Sequence, residues 1–124
     1  MKERQYLPRP FLQFAKHHPE IAKAWEELGA ACHEAGPLDA KTRHLVKLGV
    51  AMGLRSEGGV KTHTRRSLDA GASAAEVRQA VLLSLTTCGF PAMIAAMGWV
   101  SEVLDARGAK PAPRARTRTR KPAR

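Results

Sequence analysis

The chain has 124 residues, enough for one domain with its own core, since a chain of this size buries roughly two-thirds of its unfolded surface. Hydrophobic residues make up 44% and aromatics only 5%, so that core must be built from Ala, Leu, Val, Ile and Met, whose small volumes favour helix-on-helix packing. The net charge of +10 is unevenly placed: residues 109–124 carry seven Lys or Arg and no acid, leaving fourteen basic residues against all eleven acidic ones in residues 1–108.

No apolar run reaches about 18 residues, so no membrane span or membrane partner is expected. The opening Met1-Lys2-Glu3-Arg4-Gln5 is not followed by an apolar stretch of signal-peptide type. Cys32 and Cys88 lie far apart and do not make a disulfide framework. Reduced thiols and a cytoplasmic location are the expectation.

In chain order, Pro8 and Pro10 punctuate an N-terminal arm, and Phe11, Leu12 and Phe14 begin an apolar patch. Pro19 suits the first turn of a helix. Ile21, Trp25, Leu28 and Cys32 then recur at helical spacing, up to a stop at Gly36-Pro37. Asp39 is placed to cap a second helix, with Leu45, Leu48 and Met52 on its apolar side and Val46 and Val50 widening it. After a break over residues 53–59, a helix from about Glu57 to Ala70 carries Val60, His63, Ser67 and Leu68, and Gly71 ends it. Ser73-Ala74-Ala75-Glu76 reads as a capping box, followed by a stripe of Val77, Ala80, Val81, Ser84 and Leu85. Gly89-Phe90-Pro91 turns the chain into a last helix holding Ile94, Met97, Val100, Val103 and Leu104, up to Gly108. Nothing alternates with period two, so the class is all-α. Residues 1–108 form one helical domain, and the Pro-, Ala- and Arg-rich residues 109–124 form a basic tail expected to be disordered.

Four stretches follow one another in a characteristic order: Leu38-Asp39-Ala40-Lys41-Thr42-Arg43-His44-Leu45, then Ser56-Glu57-Gly58-Gly59-Val60-Lys61-Thr62-His63, then Ser67-Leu68-Asp69-Ala70-Gly71-Ala72-Ser73-Ala74-Ala75-Glu76, then Gly89-Phe90-Pro91-Ala92. Together they resemble the carboxymuconolactone decarboxylase and alkyl-hydroperoxidase D-like family over roughly residues 10–105. The resemblance implies a bundle of about six helices that assembles as a trimer or hexamer. Where the peroxidase branch has a Cys-x-x-Cys pair, this chain has Ser56 and Gly59, and where that branch has a relay Glu it has His44. Thiol peroxidase chemistry needs an activated thiolate and a partner sulfur, and neither stands at this motif.

His63 keeps the family's histidine position. The decarboxylase branch also lacks the cysteine pair and keeps this histidine, so the resemblance implies a lyase acting on a small anionic, carboxylated substrate. Decarboxylation needs cations for the carboxylate and a proton donor for the carbanion-like intermediate. His63 and His44 are the candidate catalytic pair. Ser56 is a third candidate, with a helix cap as its alternative role. Arg55, Lys61 and Arg65 are candidate substrate-binding cations. Two histidines are too few for a metal site, so neither a metal nor another cofactor is expected. Cys32 and Cys88 read as buried small hydrophobes. The alternative function is a non-catalytic helical oligomer that binds a small ligand or a partner, and an alkyl hydroperoxide reductase-type antioxidant role ranks third. The basic tail can neutralise phosphates without reading sequence, so weak contact with nucleic acid or another polyanion is the further expectation.

Overall fold

The computed structural model describes Leu7 and residues 9–108; Pro8 and the basic tail at 109–124 lie outside the described residues. Seven helical segments follow in order: α1 (Arg9–His17), α2 (Pro19–Glu34), α3 (Ala40–Gly53), α4 (Glu57–Asp69), α5 (Ala74–Leu82), α6 (Leu85–Cys88) and α7 (Phe90–Ala106). There is no strand among the described residues. The all-α class holds, with six helices of two turns or more and a four-residue α6. None is long and apolar enough to cross a membrane.

The helix ends follow local chemistry. Asp39 accepts from the Thr42 backbone N–H at 2.8 Å and starts α3. Ser73 accepts from Glu76 N–H at 3.0 Å while the Glu76 carboxylate accepts from Ser73 N–H at 3.1 Å, closing the capping box of α5. Helices α3 and α4 end on the same motif. In α3, Ser56 N–H reaches Ala51 O and Arg55 N–H reaches Met52 O; in α4, Ala72 N–H reaches Ser67 O and Gly71 N–H reaches Leu68 O. The residue in the left-handed region is Gly71 in α4 (φ 101°) but Arg55 in α3 (φ 55°). Arg55 therefore occupies a position where a side chain is disfavoured.

The core lies between α3, α4, α5 and α7. Leu48, Ala51 and Met52 from α3 meet Val60 from α4, Val77 and Val81 from α5, and Ala92, Met93, Ala96, Val100 and Leu104 from α7. Thr64 and Ser67 are also buried, and their hydroxyls donate to the carbonyls of Val60 and His63 one turn back at 2.7 and 2.6 Å. Their polar groups are thereby satisfied inside the core. The N-terminal α1–α2 hairpin sits to one side, and only Ala22 of α2 is buried. Ile21, Trp25 and Leu28 form the helical stripe the sequence shows, yet they stay exposed, Trp25 at 63%. Cys32 is likewise exposed rather than buried, because the same uncovered stripe carries it. Cys88 is half-buried and packs against the core.

Replacing the fully buried Leu48 by Ala is expected to lower unfolding stability by about 2–5 kcal/mol in chemical denaturation. Ser73→Ala, which opens the capping box at the surface, is expected to cost about 1 kcal/mol.

Candidate functional site

The N-terminal half of α3 packs against the middle of α4, and the last turn of α2 closes over the seam. Helical spacing decides what meets there. His44 and Lys47 are three apart on α3, and His63 and Arg66 are three apart on α4, so each pair shares a face. The His44 and His63 rings stack with centroids 5.9 Å apart and an interplanar angle of 28°. His33 from α2 meets the His44 ring edge-on at 5.4 Å. Its Nε2 lies 2.5 Å from Lys47 Nζ. Five nitrogen-bearing side chains from three helices thus share one half-buried seam.

The electrostatics of the seam are one-sided. Burial pushes the His63 imidazole down to about 4, and the charges of Arg66, His44, Lys47 and His33 push the same way. None of the charges acting on His63 is a carboxylate. The Lys47 ammonium is also held below its usual range, first by burial and then by Arg66, with Cys32 acting weakly in the opposite direction. His63 Nδ1 and Arg66 Nε are buried and have no hydrogen-bond partner. In a half-buried seam of basic groups, each unmet polar atom costs free energy that an oxyanion partner of Arg66 Nε would recover. Among the described residues no group of three or more His, Cys, Asp or Glu is arranged to hold a metal ion.

The structure brings His44 and His63 together and places the other expected residues elsewhere. Ser56 caps α4: its Oγ accepts from Gly59 N–H at 3.1 Å. Gly59 lies so close to α3 that an added Cβ would stand 2.9 Å from Ser56 Oγ and 3.0 Å from Ala51 Cβ. Lys61 is ion-paired to Glu57 at 2.9 Å and Glu102 at 2.7 Å. It lines a separate groove with Arg65, Glu102, Val103 and Arg107. Arg55 is exposed at the α3–α4 turn. Neither Arg55, Lys61 nor Arg65 is among the charges felt by His63. The positive charge at the seam comes from Lys47 and Arg66, with His33 beside them, three residues that sequence proximity does not single out. The signal was available in the helical period, since Lys47 and Arg66 each stand three residues after a candidate histidine.

Comparison with known proteins matches the carboxymuconolactone decarboxylase family model to residues 19–102. An uncharacterized protein of Haemophilus influenzae is 38% identical over 62 residues, covering 50% of this chain and 55% of the relative. Nitrosuccinic acid decarboxylase of Metarhizium robertsii is 38% identical over 84 residues, covering 68% of this chain and 57% of the relative. The chain therefore spans little more than half the length of these curated relatives. Among solved structures, a protein assigned as a carboxymuconolactone decarboxylase from Burkholderia xenovorans superposes with a TM-score of 0.67 at 24% identity, over 82% of this chain and 83% of the other. A carboxymuconolactone decarboxylase family protein from Thermotoga maritima gives a TM-score of 0.59 at 24% identity, over 82% and 97%. At that identity the two structures establish the shared fold.

Followed by NMR, the His63 ring is expected to titrate near 4, and Arg66→Gln is expected to raise that midpoint. The unfolded chain takes up the same proton near the ordinary imidazole value of about 6.5. Between these values the unfolded state binds more protons, so stability falls as pH drops from about 6.5 toward 4. His63→Gln is expected to flatten that part of the pH–stability curve.

Proposed function

Because the chain belongs to the carboxymuconolactone decarboxylase family, we propose that it is a lyase that removes carbon dioxide from a small carboxylic acid held at the seam between α2, α3 and α4. The observation that carries this reading is the gathering of Lys47, Arg66 and three imidazoles in one half-buried place, with no carboxylate among the charges acting on His63. The relative from Metarhizium robertsii, named for an acid bearing two carboxylates, supports a small anionic substrate.

In this reading Arg66 holds a substrate carboxylate by charge-assisted hydrogen bonds, with Lys47 beside it. As the bond to carbon dioxide breaks, negative charge moves onto the remaining carbon skeleton. Fixed cations in a half-buried seam stabilise that charge without reorganising. His63 is neutral in the free protein, but an anion beside it raises its proton affinity. The imidazolium so formed delivers its proton to the carbanion equivalent, with His44 stacked against it as the orienting partner. Ser56, occupied as a cap, and Gly59, without a side chain, take no part in thiol chemistry. Arg55, Lys61 and Arg65 are proposed to help attract the anion to the protein rather than to hold it.

The same reading includes assembly into a trimer or hexamer. Its support is the amount of uncovered apolar surface: Ile21, Trp25 and Leu28 on α2, Val46 and Val50 on α3, and Leu82, Leu83, Phe90 and Ile94 around the start of α7 are all at least half exposed. Patches of this kind in a soluble chain mark interaction surfaces.

Carbon dioxide release from a panel of small acids carrying an electron-withdrawing group beta to the carboxylate is the direct test. Release is expected to fall by about 100-fold or more in His63→Gln, in the range of a lost general acid, and to weaken in KM for Arg66→Gln. The protein is expected to show no dithiol-dependent turnover of alkyl hydroperoxides. Binding without release across the panel would favour the non-catalytic ligand binder. Light scattering at micromolar concentration is expected to give a trimer or hexamer, and a monomer would reject the assembly.

A further inference from the structure

Loss of carbon dioxide leaves an electron pair on carbon, and that pair must go somewhere. Guanidinium groups can stabilise the charge and an imidazolium can protonate the carbon, but neither can delocalise the pair while the bond to carbon dioxide is breaking. An amine joined to a neighbouring carbonyl carbon can, because the resulting iminium accepts the pair as an enamine. The amine must be neutral to attack, must sit beside a base, and must not be locked in an ion pair.

Lys47 meets these conditions where Lys41 and Lys61 do not. Lys41 Nζ lies 3.0 Å from the Glu76 carboxylate and Lys61 Nζ lies 2.7 Å from that of Glu102, contacts that favour the ammonium form in both. Lys47 Nζ instead meets the His33 imidazole at 2.5 Å, on the face of α3 that carries His44. Its neighbours in charge are Arg66, which disfavours the ammonium, and the thiol of Cys32. Burial acts with Arg66, so the free amine is reached more readily here than at an exposed lysine.

Resting on the decarboxylase reading above, we infer that Lys47 is a nucleophilic amine that captures the ketone of a small β-oxo acid as an iminium, with His33 as the base beside it. His33 takes the ammonium proton. The Lys47 nitrogen lone pair then bonds to the carbonyl carbon, and the carbonyl oxygen takes one proton from that nitrogen and one back from the His33 imidazolium and leaves as water. The bond between the α-carbon and the carboxylate breaks, its electron pair forms the enamine double bond, and the iminium bond electrons return to nitrogen. Carbon dioxide departs. A proton from the His63 imidazolium goes to the α-carbon and restores the iminium. Water adds to the iminium, the ketone is released and the amine is regenerated. No oxidant, reductant or metal enters this balance. Arg66, three residues from His63 and with Nε unpartnered, is left to hold the carboxylate until it breaks away.

The test uses the full chain with acetoacetate and cyanoborohydride, which reduces an iminium to a stable amine. Intact-mass spectrometry and peptide mapping are expected to find a reduced adduct on Lys47, part of it lacking the substrate's carboxyl group. Lys47→Arg keeps the positive charge but has no nucleophilic amine, and its adduct is expected to drop to background while its helical circular dichroism is retained. His33→Gln is expected to slow capture by about 100-fold, in the range of a lost general base. An unmodified Lys47, or equal labelling in Lys47→Arg, would overturn the inference. Carbon dioxide release above the protein-free control, measured in the same samples, separates the two readings. Release without an adduct rejects the amine and leaves the decarboxylase standing, whereas an adduct at Lys47 that keeps its carboxyl, with no release, upholds capture and rejects the decarboxylase.

Discussion

The seam between α3 and α4 is the constraint on which the site depends. Two helices can pack tightly along their whole length only if the residues facing inward are apolar or neutralised. Here the lower part of the seam obeys that rule, with Leu48, Ala51 and Met52 set against Val60 and fully sealed into the core. One or two turns toward the start of α3 the same face carries His44 and Lys47 opposite His63 and Arg66. The well-packed apolar part fixes the helix axes, and the basic part is carried into contact with them. The histidine rings stack, and His63 is held toward its neutral form first by burial and then by Arg66 and His44. A bound anion would remove a repulsion that the fold imposes, and any ligand that binds the folded chain in this way stabilises it by mass action.

This division explains what could be read from the sequence. Helix boundaries depend on local chemistry, and Asp39, Ser56, Ser73 with Glu76, and Gly71 all act in the structure as their spacing suggests. The pairing of His44 with His63 followed from the family resemblance and the two-helix geometry. The substrate cations did not follow so simply. Arg55, Lys61 and Arg65 were candidates because they are near His63 in sequence, but residues two apart on a helix point to different sides. Lys61 turns to Glu57 and Glu102, whereas Arg66, one turn on, shares the histidine face. His33 was harder to see, since its place depends on how α2 lies across α3, a tertiary relation with no periodic signature. The stripe Ile21, Trp25, Leu28 teaches a related point: helical period shows that a face is apolar but not what covers it.

Ser56 and Gly59 serve local packing at the start of α4. In the family resemblance these positions belong to the thiol pair. In this chain Ser56 has become a structural cap, accepting the Gly59 N–H, and Gly59 lets α4 approach Ala51 of α3 to near-contact. A side chain at 59 would press on both Ser56 Oγ and the Ala51 methyl. The start of α4 thus serves the packing of the helix against α3, while its middle places His63 and Arg66 at the seam where the proposed chemistry would take place.

The position of α2 then acquires a functional meaning. It contributes His33 to the seam through its last turn, yet buries only Ala22 along the rest of its length. A further link to α3 near the site is a surface contact, Glu34 to Arg43 at 3.9 Å with the Glu34 side chain well exposed. Exposed pairs of this kind contribute little to holding a helix in place. The seam therefore draws one of its five groups from a helix that buries only Ala22, and a partner copy covering Ile21, Trp25 and Leu28, as the proposed assembly has it, would also hold His33 more firmly against Lys47. In the proposed reading, assembly and chemistry would be linked through a single helix, whose apolar stripe is exposed and whose last turn brings His33 to Lys47. A loss of order in α2 would leave the core of α3, α4, α5 and α7 intact while separating His33 from Lys47, so the fold can outlast the arrangement that the proposed chemistry requires.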